Sequence, residues 1–322
     1  MENSSILDSC EHLVPTRTGS GFKKNLPSHA NLPGTIMAMV LLSTAIVYSI
    51  LSSFSLLTSV NKVHGKIVVL VTSSSSLLVS SYLMSQPSKI TETPYDAERG
   101  TWFGHRMSPE GDWKHIPIAL VATYSFVFAY GAVASLVSPE TNVLAIPLFY
   151  VAGLIIFYVW HVAAHMIKGV ELHRLHMIHH REHYPRHDFY GDQSEFVQDE
   201  KKSRDTLHTM LSLMNPTGNS TMKSVAHEGP IVVAIASTII FSRIVLSVST
   251  ITCIFALLGY TFMAMFGSAI HMSFHERNFQ LEPYAWYREL RSLHMIHHME
   301  HKNYAMVNIL LDFVFCSLLI NQ

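Results

Sequence analysis

Four apolar stretches, each about the thickness of a bilayer when helical, limit the architectures open to this 322-residue chain. Crossing a membrane as a helix takes about 20 mostly apolar residues, because hydrocarbon offers no partner to an unpaired backbone N–H or C=O. Segments 35–57, 116–137, 144–160 and 249–270 meet that requirement. Segment 225–246 is a fifth candidate, with Arg243 near its end, where a long side chain can snorkel to the interface. Segment 66–84 is the weakest, since Ser73–Ser76 and Ser80–Ser81 dilute it. Serine hydroxyls can bond back to helix carbonyls, so this segment is kept as a sixth span. The expected fold is all-α: an integral-membrane helical bundle of about six spans, within a range of four to six. A polar tail, 1–34, precedes a single membrane domain, 35–322. Segments 161–223 and 271–322 are left as a helical cap.

Composition agrees with a multi-pass protein. Charged residues make up 14% of the chain, against roughly 25% in soluble proteins, and mean hydropathy is +0.25. The first thirty residues are polar and hold no early apolar run, so no cleavable secretory signal is expected. A net charge of −1 and the lack of a basic, aromatic-interleaved tract argue against a nucleic-acid partner. Cys10, Cys253 and Cys316 are odd in number and far apart, which predicts neither a disulfide framework nor a thiolate metal site.

Chemistry concentrates in two histidine windows. The first reads His161-x-x-x-His165 and then His176-x-x-His179-His180; the second reads His271-x-x-x-His275 and then His294-x-x-His297-His298. Residues three and four apart share one face of a helix, so each pair and each triplet is expected to aim its imidazoles at a common point. Imidazole suits zinc, iron, copper and nickel. Ten convergent imidazoles are too many for one such ion and enough for two, which predicts a dinuclear site. His173, His183, His187 and His301 lie in the windows but off the repeated spacing, and are expected to hydrogen-bond or pack.

With six spans, both windows fall on one face together with the N-terminal tail, 85–115 and 166–223. That face then carries 19 of the 22 lysines and arginines, and the other carries Lys62, Lys66 and Arg243. The positive-inside rule therefore places the histidines in the cytosol.

From Trp160 to the C-terminus the chain resembles the fatty acid hydroxylase / sterol desaturase superfamily of membrane metal oxygenases. The four histidine boxes occur in the family's order. The tail adds Asn303-Tyr304, then Asp312 and Phe315, with Ala305 where many members carry glycine. The H-x-x-x-H third box is closer to the fatty acid and sphingolipid 2-hydroxylase branch than to the sterol branch. That branch's amino-terminal haem-carrying cytochrome domain is absent from this sequence. The resemblance implies that His161, His165, His176, His179, His180, His271, His275, His294, His297 and His298 hold two iron ions. Zinc can take the same donors in isolated protein. It also implies dioxygen as co-substrate, and electrons from an external donor, either a small haem cytochrome with its reductase or a ferredoxin. In a eukaryote, the endoplasmic reticulum membrane is the implied location.

The implied activity is oxidation of a membrane lipid: hydroxylation of an unactivated C–H bond in a fatty acyl, sphingolipid or sterol substrate, with desaturation as the alternative. Tyr260, Phe262, Met263, Met265 and Phe266 are candidates to line the substrate path. Glu182, Asp188, Asp192, Glu276 and Asp312 are candidates to orient ligands through their second ring nitrogen, as carboxylates commonly do. A histidine-rich zinc or nickel transporter is the reading from a different class. Transporters place ion ligands near the bilayer midplane, whereas every box here begins at or beyond the end of a span.

Overall fold

The computed structural model describes residues 32–53, 59–87, 115–183, 235–245, 247–275, 280–300, 302–305 and 308–315. Among them every regular element is helical. The helices are α1 (Leu32–Ser53), α2 (Ser59–Met84), α3 (Ile116–Val137), α4 (Ala145–Met166) and α5 (Glu171–Ile178), which runs into a π-helical turn at His179–His183. Then follow α6 (Ile235–Val245), α7 (Thr250–Ser273), α8 (Ala285–Glu300) and α9 (Leu310–Val314).

Five of these, α1, α2, α3, α4 and α7, are long and apolar enough to cross a membrane, as an integral membrane protein requires. The expected span 225–246 is described only from Ile235, as an eleven-residue helix; positions 225–234 lie outside the described residues. Val40, Val71, Leu78, Ile155 and Leu258 lie exposed on the long helices, the pattern of a bundle whose outer surface faces lipid tails instead of water.

Helix α2 explains how a serine-rich segment can span. Thr72 and Ser80 return their hydroxyls to the carbonyls of Val68 and Ser76, both at 2.7 Å. Ser76 instead reaches the Ala38 carbonyl of α1 at 2.7 Å, while Ser125 of α3 donates to the Ser76 hydroxyl at 2.8 Å. Each hydroxyl is thus satisfied, and small side chains let α1, α2 and α3 approach closely. Ala38, Ala45, Val69 and Ala132 fill the seam between them. A second seam, between α4 and α7, relies on Gly153: a methyl group there would overlap the ring of Tyr260.

Helix α4 runs six residues past the expected end of its span, so His161 and His165 ride on the last turns of the membrane helix itself. Nothing from Trp160 to Met166 breaks a helix; Gly169, at φ +85°, then turns the chain into α5. Helix α8 docks across this end of the bundle. Its Glu289 accepts from the backbone N–H of His115 (3.1 Å) and of Ile116 (3.0 Å), and its other oxygen lies 2.8 Å from His115 Nδ1. A carboxylate from another helix thereby caps the start of α3, where first-turn N–H groups have no helical partner. Burial pushes the Glu289 carboxyl above the ordinary carboxylate range, and the bonds from His115 and Ile116 pull it back down. Trp286 Nε1 donates to the Met84 carbonyl at the end of α2 (3.1 Å). The buried pair Glu282–Arg291, at 2.6 Å, ties the turn before α8 to the helix.

Replacing Glu289 with alanine removes the acceptor for both N–H groups. The expected loss is about 1–3 kcal/mol, read as a lower unfolding midpoint in detergent, with Glu289→Gln recovering part of it. An unchanged midpoint in Glu289→Ala would show that α8 does not cap α3.

Candidate metal centre

Nine of the ten pattern histidines fall into two compact groups. Ligand-capable nitrogens of His161, His165, His176, His180 and His297 lie within 4.8 Å of one another, and so do those of His179, His275, His294 and His298. Either group could hold a metal ion. The groups abut, with the rings of His180 and His298 centred 4.0 Å apart. His271 stands beside the second group, its ring 4.5 Å from that of His294.

The triplets do not aim all three imidazoles one way. In each, the outer two histidines serve the group of their own window, while the middle one crosses over. His176 and His180 join the first group and His179 the second; His294 and His298 join the second and His297 the first. Neighbours at i and i+1 diverge by about 100° around a helix, so a triplet wedged between two centres must feed both. The exchange is reciprocal, giving the site an approximate twofold symmetry that mirrors the sequence repeat.

Short contacts between nitrogens test whether an ion fits. His165 Nε2 lies 2.6 Å from His176 Nε2 and 3.3 Å from His297 Nε2. His294 Nε2 lies 3.0 Å from His275 Nε2 and 3.1 Å from His298 Nε2. A neutral imidazole nitrogen carries one proton or one lone pair, so it can bond only one of two such neighbours. A shared cation could satisfy each set: donors about 2.0–2.1 Å from one ion stand roughly 2.9–3.4 Å apart. Three of the four spacings meet that range, while His165 and His176 are closer and would have to part slightly. Burial holds His180 and His294 well below the ordinary imidazole range, and neighbouring imidazoles push them in the same direction. Neutral rings present lone pairs, which is what metal ligation requires.

Two of the ligand histidines are oriented by backbone carbonyls. His161 Nδ1 donates to the Tyr304 carbonyl at 2.6 Å, and His297 Nδ1 to the Lys302 carbonyl at 2.7 Å. Both carbonyls come from the turn after α8, made possible by Asn303 at φ +56°, a left-handed conformation asparagine tolerates. Asn303 also donates to the Leu293 carbonyl (3.2 Å). Asp312, fully buried, accepts from the Ala305 N–H at 2.9 Å, so it acts on the ligands through this turn. Asp188, Asp192 and Glu276, and the side chain of Glu182, lie outside the described residues. His173, off the repeated spacing, donates to the Ala164 carbonyl at 2.8 Å and belongs to neither group.

Below the histidines, a cavity of about 620 Å³ runs between α2, α3, α4 and α7. Its wall is chiefly apolar, and it includes four of the five residues proposed from the sequence: Tyr260, Phe262, Met263 and Phe266. Met265 is not part of that wall, and Phe262 and Phe266 are also partly exposed on the outer surface. Tyr150, Leu154, Phe157 and Trp286, which no spacing rule marks, complete the enclosure. Comparisons of the chain with protein-family models, curated proteins and solved structures found no match.

Releasing the turn that carries Tyr304 and Lys302 should loosen the first group. Asp312→Ala is expected to weaken retention of one ion by about 10–100-fold, read by chelator competition on the purified chain, while the other ion is held as before. Equal loss of both ions, or of neither, would contradict the positioning role of Asp312.

Proposed function

We propose that this chain is a membrane-bound, dioxygen-dependent lipid oxidase of the histidine-box type, holding two irons and hydroxylating an unactivated C–H bond. The observation that carries this reading is the apolar cavity whose upper wall reaches His271, beside two groups of converging imidazoles. Its volume lies within the roughly 300–1,000 Å³ typical of small-molecule sites, and its wall offers a hydrocarbon chain contacts comparable to those of the bilayer. Two irons held there would, with dioxygen, two external electrons and two protons, supply the chemistry that inserts one oxygen atom into a C–H bond and releases the other as water.

The chain's own residues do the rest. The imidazoles would hold the metal charge at a fixed place, and the carbonyls of Tyr304 and Lys302 keep Nδ1 of His161 and His297 protonated, which puts the lone pair of each ring on Nε2. The apolar wall of the cavity, with Tyr150, Leu154 and Phe157, would hold a hydrocarbon chain and limit which methylene approaches the histidines. The grouped histidines sit at and beyond the ends of α4 and α7, away from the bilayer midplane where transporters place their ion ligands. The distribution of lysine and arginine supports a cytosolic placement for this end. There an external haem cytochrome with its reductase, or a ferredoxin, would deliver electrons. In a eukaryote the endoplasmic reticulum membrane is the expected home. A sixth crossing through 225–246 accounts for how the chain, having left α4 at the histidine end, begins α7 at the opposite one.

Expressed in a membrane host, the chain should produce lipid species heavier by one oxygen atom, and His297→Ala should abolish them while still inserting. Loss of two hydrogens instead would indicate desaturation, and identical lipid profiles for both proteins would refute the oxidase. Elemental analysis of the active protein should find close to two ions per chain; active protein without metal would overturn the reading.

A further inference from the structure

The sequence repeat makes His271 the counterpart of His161, since each opens an H-x-x-x-H pair at the end of a long helix. Their surroundings differ. His161 belongs to the five-nitrogen group, with its ring centred 4.6 Å from that of His297 and its Nδ1 held by the Tyr304 carbonyl. The nitrogens of His271 fall outside the four-nitrogen group, although its ring lies within 4.5–5.7 Å of those of His294, His179 and His275. Of the ten pattern histidines, His271 alone lines the apolar cavity, next to Gly267, Ser268 and Ile270. On the side of the five-nitrogen group the cavity wall is Phe157, whose ring packs 5.7 Å from that of His161, together with Ala305.

We propose that the two ion positions are unequal: the four-nitrogen group stays open toward the cavity, and His271 stands at that opening facing the substrate chain instead of ligating. This rests on the oxidase reading above and assigns its reactive position. An octahedral ion takes about six donors, so five nitrogens leave one position and four leave two. Metal sites that do chemistry keep such positions open, while structural ones close them. A chain lying in the cavity meets His271 and, just behind it, the group with more room for an exogenous ligand. Phe157 screens the other group from the same chain.

The test uses the full-length chain in detergent, loaded with cobalt(II), and reads metal retention against a chelator together with azide binding by visible absorption. His275→Ala and His161→Ala should each release one of the two ions at a chelator concentration at least about tenfold lower than wild type. His271→Ala, and His271→Asn as a second variant nearer in polarity, should release both ions at the wild-type concentration. Azide should still bind to His161→Ala and to both His271 variants, and should be lost with the ion released from His275→Ala. Early release of one ion from both His271 variants would make His271 a ligand and overturn the proposal, as would azide binding that survives loss of the ion in His275→Ala. A wild-type chain that holds no cobalt would remove the oxidase reading itself, so the two failures are distinguishable.

Discussion

Nitrogen facing nitrogen in a water-poor interior is the constraint on which this structure turns. A single imidazole is easily accommodated in a protein core through one carbonyl partner, as His173 is by Ala164. Nine of them with converging nitrogens cannot all be reconciled by protons, because each ring nitrogen has one direction in which to bond. Cations would resolve the conflict, and burial favours the neutral form of His180 and His294. The lengths of α4 and α7, the docking of α8 and the turn at Asn303 all serve to bring these nitrogens to one place.

The surrounding framework is correspondingly over-determined at this end of the bundle. Helix α8 contributes three histidines, caps α3 through Glu289 and holds the end of α2 through Trp286. One sixteen-residue element therefore contributes to both histidine groups, lines the cavity and touches three of the long helices. Tyr287, fully buried, anchors its underside by donating to the Ser273 carbonyl at 2.8 Å. Such sharing fixes ligand geometry with few dedicated supports, because any shift of α8 would strain several contacts at once.

Much of the architecture could be read from residue order, because apolar length is a direct consequence of bilayer thickness. The five long helices fall where the apolar runs are, and even serine-rich α2 spans for the reason its hydroxyls suggest. The end of α4 was less legible: the apolar run stops at Trp160, although the backbone from Trp160 to Met166 has no reason to leave the helix, so the histidine pair continues the span helix without a break. Grouping of histidines followed from spacing, but their division did not. Three-and-four periodicity says which side chains share a broad face, and a broad face can look toward two centres, as His179 and His180 do. The orienting groups escaped for a different reason. Sequence advertises carboxylates, whereas the carbonyls of Lys302 and Tyr304 belong to every residue alike and become special only through the backbone turn at Asn303. Glu289 carries no motif at all, since its partner N–H groups lie more than 170 positions away.

The exchanged middle histidines bear on how the polypeptide matures. His165 and His297 meet across 132 positions of sequence, so an ion seated between them would act as a staple closing a very long loop and would add to folding stability. Neither group holds a full complement of donors until α8 has been made. A product that stops before α8 would therefore leave both positions short of donors: the first without His297, the second without His294 and His298.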